Sequence, residues 1–476
     1  MFATKNSLRL VLALILGFFF IFPSSILSYS YATNISLKNL WLNQLKEKSI
    51  PKNKVSYCYI NEDGNIEGNQ ENLLLPLASV SKIFTSLWAL NKLGDENYQF
   101  HTTFFYSKKL NRIHIQGDGD PLMGERKIWW IITNLNKLGI QHVSKITFDE
   151  KFLFFPSIFE NHHYEHSRIS NGIKYFGPYV SSLTAVKNNL MTYFNTQLLS
   201  TSQKKLLVVH AKNFPSAIKT NLNFSVDAIS YSKENPISED DTIPIQFPSA
   251  PLKDLLKFIN TYSNNPASDL LFNFLGGATG LIQFLQDSKI IEDQNEANFF
   301  TGSGIPLTIT KDNTSRRNVN KTSCKTVLKV ITQLSLLAQG QNADQFDDFL
   351  IPDKNSFSPL FDWLPVAGLE GTLKKNISWS RSVIGKTGSL RDGRMLAGTI
   401  SSQTGERLFT FLSQVSSSKI SSIVEIYQTM MKNFFTEFGK KDPFEYDSTF
   451  ESSKFLGGIQ KDIIIKNTLV NQNVLY

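Results

Sequence analysis

Val55 to Ile60, rich in β-branched and aromatic residues, reads as a strand. Asn61-Glu62-Asp63-Gly64-Asn65 follows with strong turn chemistry, so a hairpin is expected early in the fold. At Ser79 the period lengthens. Val80, Ile83, Phe84, Leu87 and Trp88 fall at i, i+3, i+4, i+7 and i+8, the stripe of a helix facing a core, with Pro76 ahead of it and Gly94 closing it. Between about 96 and 244, short strand-like runs alternate with polar loops, among them Phe104–Tyr106, Arg112–Ile115 and Lys205–Val209. That texture predicts a strand-rich insertion. Beyond it, Val383–Lys386, Met395–Ser401 and Leu408–Val415 read as strands and Ser421–Phe438 as a closing helix.

The N-terminus has another pattern. Lys5 and Arg9 precede an apolar stretch from Leu10 to Phe22, then Pro23 and small residues ending Ser30-Tyr31-Ala32. A basic start, an apolar centre and a small-x-small end make residues 1–32 a secretory signal. An uncleaved anchor competes, because Leu10–Leu27 approaches the length that spans a bilayer. Pro23 and the Ser-x-Ala end favour cleavage. No other segment has about twenty consecutive apolar residues.

With 476 residues, 41% hydrophobic and 19% charged, the chain can bury a sizeable core in more than one domain. Its net charge of +8 includes two basic and no acidic residues within 1–32. The remaining excess suits an anionic partner such as a wall polymer or, loosely, a membrane surface. No interleaved basic and aromatic motif points to nucleic acid. Cys58 and Cys324 are the only cysteines. A bridge between them is open to an exported protein, but their distance in sequence favours two unrelated half-buried thiols.

Ser-x-x-Lys occurs six times, beginning at Ser49, Ser79, Ser202, Ser216, Ser230 and Ser416, so the pattern alone is weak. At Ser79 the bland reading is a helix N-cap. Context changes the balance: Lys82 lies one turn along the predicted helix, within reach of the Ser79 hydroxyl. Ser263-Asn264-Asn265 and Lys386-Thr387-Gly388, each unique of its kind, follow in order. This set of three is shared by penicillin-binding proteins and β-lactamases. Ser79 is then the candidate nucleophile and Lys82 its base, with a proton affinity lowered by burial and by Lys386. Ser263 would relay a proton to the leaving amine, and Asn265 would orient Lys82 and the substrate amide. Lys386 and Thr387 would hold a carboxylate, and Gly388 would leave an edge strand open to backbone approach. The amides of Ser79 and Ser389 would form the oxyanion hole. No cofactor is implied. Gly385-Lys386-Thr387 is not a phosphate loop, since it lacks the upstream glycine.

Pro76 through Lys82, Gly117-Asp118-Gly119-Asp120-Pro121, Asp149–Phe152, Gly177-Pro178 through Asn189, and Ser263–Gly276 extend the pattern. Gly302-Ser303-Gly304, Arg317-Asn318 and Leu364 through Leu373 continue it. Over roughly residues 50 to 430 the sequence resembles the D-alanyl-D-alanine carboxypeptidase/endopeptidases of the penicillin-binding protein 4 type, serine peptidase family S13. The resemblance implies an α+β, penicillin-binding-protein/β-lactamase-like transpeptidase domain, an antiparallel sheet flanked by helices with a strand-rich inserted region. The expected division is a signal peptide at 1–32, a catalytic domain from 33–95 and 245–440, an inserted domain at 96–244 and an extension at 441–476. It also implies peptidoglycan stem peptides as substrates, β-lactam antibiotics as inhibitors and a periplasmic location. Asp269 stands where a glutamate is common, Thr301 where an aspartate usually precedes Gly-Ser-Gly. The interval from Lys82 to Ser263 looks shorter than in the long members, which leaves carboxypeptidase against endopeptidase preference open.

Three rivals remain. His162, His163, Glu165 and His166 could supply two metal ligands on one helical face. The stretch is polar and lacks His-Glu-x-x-His, which favours exposed loop histidines. A β-lactamase or esterase would share Ser79 and Lys82, yet no glutamate with asparagine is placed to position a deacylating water. A non-catalytic wall-binding descendant would be expected to have lost a motif residue, and all are present. Asp118 and Asp120 read first as turn residues.

Overall fold

The computed structural model describes residues 36–159, 167–170, 173–176, 179–180, 182–311, 314–340, 358–446 and 464–465. The signal assigned to 1–32, the histidine cluster at 162–166 and Gly177-Pro178 lie outside the described residues.

The elements that frame the centre are helices α1 (Leu37–Glu47), α2 (Ser81–Leu93), α3 (Asn265–Leu275), α4 (Cys324–Ala338) and α5 (Ile420–Glu437). The strands are β1 (Val55–Ile60), β2 (Ile66–Asn69), β3 (Val383–Leu390), β4 (Gly393–Ser402) and β5 (Gly405–Ser413). They form one antiparallel sheet in the order β3-β4-β5-β1-β2, so a strand near the start of the chain pairs with one near its end, Val55 with Ser413. The β1–β2 hairpin turns at Gly64, whose φ is +81°, with its amide bonded to the Asn61 carbonyl. Helix α1 precedes the hairpin and had no expectation attached to it.

Both faces of this sheet are covered. Val55, Tyr57 and Tyr59 face one way and join Phe409 and Phe411, Trp41 of α1 and Met430 and Phe434 of α5. Cys58 and Ile60 face the other way, with Leu408, Leu412, Val80 and Phe84 on the α2 side and Val327 and Ile331 of α4. Every residue of β1 is therefore buried. A strand with two apolar neighbours shows a continuous hydrophobic run instead of alternation.

Cys58 and Cys324 form a disulfide with Cα atoms 5.8 Å apart. The favoured reading of two unrelated thiols is thus overturned. Cys58 projects from β1 toward α4, whose first residue is Cys324, so the two become neighbours once the sheet and helix pack. Distance in sequence carried no information about that.

Residues 96–248 build a second core of their own. A six-stranded sheet runs in the order 225–231, 142–148, 112–116, 101–107, 243–248, 464–465. Helices Glu125–Lys137, Leu183–Phe194 and Thr201–Asn213 supply the apolar groups packed on it, including Trp129, Leu190 and Leu207. Lys205–Val209 is thus helical, contrary to the strand expectation. Ser200 and Gln203 form a reciprocal capping box that starts the helix, and Val208 and Val209 of the apolar run face outward. Ile464 and Ile465 pair with Gln246 and Ile245 at the sheet's edge. A further sheet joins this region to the rest, because strand 307–311 lies parallel to strand 167–170.

Gly117–Pro121 is a structural turn. Gly119 takes φ +78°, the Asp118 carboxylate accepts from the His101 amide at 3.1 Å, and Asp120 forms a buried ion pair with Lys127. No helix among the described residues is long and apolar enough to cross a membrane.

The disulfide joins residues 266 apart in sequence, so replacing both cysteines with serine is expected to lower stability by about 2–5 kcal/mol. Denaturant unfolding of the oxidised protein and the double variant measures it.

Candidate active site

Ser79 is placed by a tight turn. Leu75 and Pro76 pair with Thr322 and Lys321, and the Leu77 amide donates to the Asn320 carbonyl at 3.1 Å. Ala78 then takes φ +45°, a left-handed conformation that a residue with a side chain keeps only where its surroundings enforce it. The 3-10 turn Ala78–Val80 follows and runs into α2. The N-cap position of α2 is Val80, with no side-chain capping bond, so the capping reading of Ser79 does not hold. Ser79 is half-buried.

Two glycines make room for this turn. A Cβ on Gly304, at φ +77°, would stand 1.7 Å from the Ala78 carbonyl oxygen. A Cβ on Gly388 would stand 2.7 Å from the Leu77 carbonyl oxygen. Gly388 lies on β3, the edge strand of its sheet, and its missing side chain leaves room for the Leu77–Ala78 turn.

Lys82, on the first turn of α2, has no exposed surface. Its Nζ donates to Ser79 Oγ at 3.1 Å, to Asn265 Oδ1 at 2.7 Å and to the Ser303 carbonyl at 2.9 Å. Burial first, and the Lys386 charge second, hold the amine well below its ordinary protonation range, while the Asp269 carboxylate pulls the other way. Lys386 on β3 is equally buried, and burial brings it down to about 7. It donates to Ser263 Oγ at 3.1 Å and to the Thr387 carbonyl at 2.9 Å.

The middle motif is a helix start. Ser263 takes φ +53°, and Asn264 caps α3 by accepting from the Ala267 amide at 2.9 Å. Asn264 also donates to the Ile158 carbonyl at 2.9 Å, which ties this corner to the inserted region. Capping turns Ser263 and Asn265 toward Lys386 and Lys82 respectively.

Ser79, Lys82 and Asn265 thus form one hydrogen-bonded group, and Ser263, Lys386 and Thr387 another. Thr387 Oγ1 extends the second to Thr372 Oγ1 at 2.8 Å. Gly388 and Ser389 continue β3, where Ser389 is exposed and in register with Arg394.

Several supporting residues carried no expected role. Asn320, fully buried, donates to Ser81 Oγ at 3.0 Å and to the Thr301 carbonyl at 2.6 Å, and its Oδ1 accepts from the Phe300 amide at 2.8 Å. Thr301 Oγ1 donates to the Ile305 carbonyl at 2.8 Å, closing the Gly302–Gly304 loop where an aspartate is usual. Thr372 is held by its neighbours. Glu370 accepts from Lys257 at 2.6 Å as a buried ion pair, and a Cβ on Gly371 would stand 1.9 Å from the Thr261 carbonyl oxygen. The resemblance marks Thr301, Gly302-Ser303-Gly304 and Leu364–Leu373 without roles for their side chains, whereas Asn320 and Lys257 carry no signal in the sequence.

The arrangement offers a hydroxyl beside a base of reduced proton affinity, a second hydroxyl beside a cation, and a threonine hydroxyl next to that cation. Such a site can form an ester at Ser79 while binding a carboxylate.

No curated protein matches the sequence. Among solved structures, the predatory endopeptidase Bd3459 of Bdellovibrio bacteriovorus in complex with immunity protein Bd3460 is 25% identical with a TM-score of 0.67, covering 83% of this chain and 96% of that one. Its penicillin G-acylated form is 24% identical with a TM-score of 0.66, covering 87% and 99%. Penicillin-binding protein 4 of Haemophilus influenzae, at 15% identity and a TM-score of 0.53 over 83% and 99%, shares the fold. The model of the D-Ala-D-Ala carboxypeptidase 3 (S13) family matches residues 59–200 and 343–432, segments that hold the Ser79 and Lys386 motifs.

Proposed function

We propose that the chain is a serine-type D-alanyl-D-alanine carboxypeptidase and/or endopeptidase that cleaves peptidoglycan peptides through an ester at Ser79. The observation that carries this reading is the fully buried Lys82 amine, 3.1 Å from Ser79 Oγ and held by two further acceptors.

A neutral Lys82 takes the proton of Ser79 as Oγ attacks the carbonyl of the penultimate D-alanine. The amides of Ser79 and Ser389 receive the developing oxyanion. The carbon–nitrogen bond then breaks, and the departing amine takes a proton passed through Ser263 from the lysine pair. Protonated Lys386, with Thr387, binds the carboxylate of the leaving residue, and Asn265 orients Lys82 and the substrate amide. Water, deprotonated by Lys82, hydrolyses the ester and restores Ser79. A penicillin presents a carboxylate and a strained amide to the same groups, so it acylates the same serine.

Export belongs to the same proposal. The basic, apolar and small-residue order of 1–32 supports a cleaved signal and a periplasmic location, and the positive charge that remains after Lys5 and Arg9 are removed suits an anionic wall or a loose membrane-surface contact. N-terminal sequencing of the protein recovered from the periplasmic fraction checks both; an intact Met1 in the membrane fraction would refute cleavage.

Fluorescent penicillin should label the purified protein and leave Ser79→Ala unlabelled. Lys82→Ala should acylate about 10²–10⁴-fold more slowly. Folded wild type that takes no Ser79-dependent label defeats the reading. Analysis of products from cross-linked and uncross-linked muropeptides separates the two peptidase modes.

The lysine pair predicts a bell-shaped kcat/KM. As pH rises, activity appears when Lys82 loses its proton and disappears when Lys386 loses its own near pH 7, both limbs belonging to the coupled pair. Lys386→Arg, which stays charged, should lower the maximum and remove the alkaline limb. An alkaline limb that survives in this variant would exclude Lys386 as its source.

A further inference from the structure

Helix α3 presents two polar side chains one turn apart, Asn265 and Asp269. Asn265 meets Lys82 directly. Asp269 is 1% exposed, and its Oδ1 accepts from the Ser303 amide at 2.7 Å. The carbonyl of the same residue, Ser303, is the one that accepts from Lys82 Nζ at 2.9 Å. One residue thus links the carboxylate to the amine.

The loop that carries Ser303 has little room to move. A Cβ on Gly302 would stand 2.4 Å from Phe272 Cβ and 2.5 Å from the Ser268 carbonyl oxygen, and one on Gly304 would strike Ala78. Thr85 Oγ1 donates to the Gly302 carbonyl at 3.1 Å. The loop is wedged between α3 on one side and α2 with the Ser79 turn on the other.

We propose that Asp269 is a positioning residue for the acyl-transfer reaction, holding Ser303 so that its carbonyl keeps the Lys82 amine on Ser79 and setting its carboxylate charge against that of Lys386 at this amine. The inference rests on the serine-peptidase reading. A neutral amide could accept the Ser303 bond equally well, whereas a carboxylate adds the penalty of burying a charge. The charge has a use at this position. It opposes the burial and the Lys386 field that act on Lys82, so the amine stays basic enough to take a proton. The charged groups that bear on Lys82 are Lys386 from β3 and Asp269 from α3; Lys174, on strand 173–176, feels Asp269 from the inserted region.

Asp269→Asn keeps an acceptor for Ser303 and removes the charge. With penicillin acylation followed across pH, the acid limb should move to lower pH, because Lys82 then loses its proton more easily. The plateau rate should fall on the order of 10-fold, because a weaker base accelerates less. Asp269→Glu should return the limb toward its wild-type position. If Asp269→Asn does not fold, the smaller neutral Asp269→Ser carries the same comparison. A folded neutral variant with an unmoved limb and an unchanged rate overturns this inference alone. Absence of Ser79-dependent label in the wild type overturns the peptidase reading and this inference with it.

Discussion

Two amines without exposed surface, each donating to a serine hydroxyl, set the terms for the structure around them. An ammonium group is held in the interior only if nearby oxygens replace water. Around Lys82 those oxygens come from α3, from the Gly302–Gly304 loop and from the 3-10 turn, three segments with little else in common. The left-handed Ala78 and the glycines at 304 and 388 follow from that demand: backbone must come closer than a side chain allows. Burial lowers the proton affinity of both lysines, and the charge of Lys386 lowers that of Lys82 further.

The carboxylate side is organised differently. Lys386 and Thr387 sit on a strand whose register is locked by eight successive pairings with β4. Their neighbour Thr372 rides on a loop fastened by the Lys257–Glu370 pair, with Lys257 also donating to the Phe361 and Leu364 carbonyls. A buried pair of this kind adds little net stability but fixes geometry where its hydrogen bonds are complete. The nucleophile side is shaped by close backbone contact, the carboxylate side by strand register and ion pairing.

The strands of the central sheet and helix α2 were legible because both are buried on long apolar stripes, and such periodicity survives without knowledge of the partner. The three motifs were legible through order and uniqueness. Lys205–Val209 misled because Leu206-Leu207-Val208-Val209 is as apolar as a strand, while the capping box that makes it a helix begins five residues earlier at Ser200. The disulfide was missed because Cys58 and Cys324 become neighbours only after β1 and α4 pack. Asn320 is an ordinary asparagine until its amide is seen bridging the Ser81 and Thr301 segments. Asp269 carried a faint signal, four residues after Asn265 on one helix, whose meaning required the loop folded against it.

The pairing of β1 with β5 has a consequence for how the chain acquires its shape. When the polypeptide emerges from its N-terminus, β1 has only the short β2 beside it until residues 405–413 arrive. Residues 96–248 carry their own sheet and apolar centre, so most of their contacts are complete far sooner. The order of synthesis therefore favours an early nucleus in the middle of the chain, with the N-terminal hairpin waiting as an unsatisfied edge. Ser79 gains its neighbours on β3 only in the final stage, which keeps the reactive centre unassembled until nearly the whole chain is present.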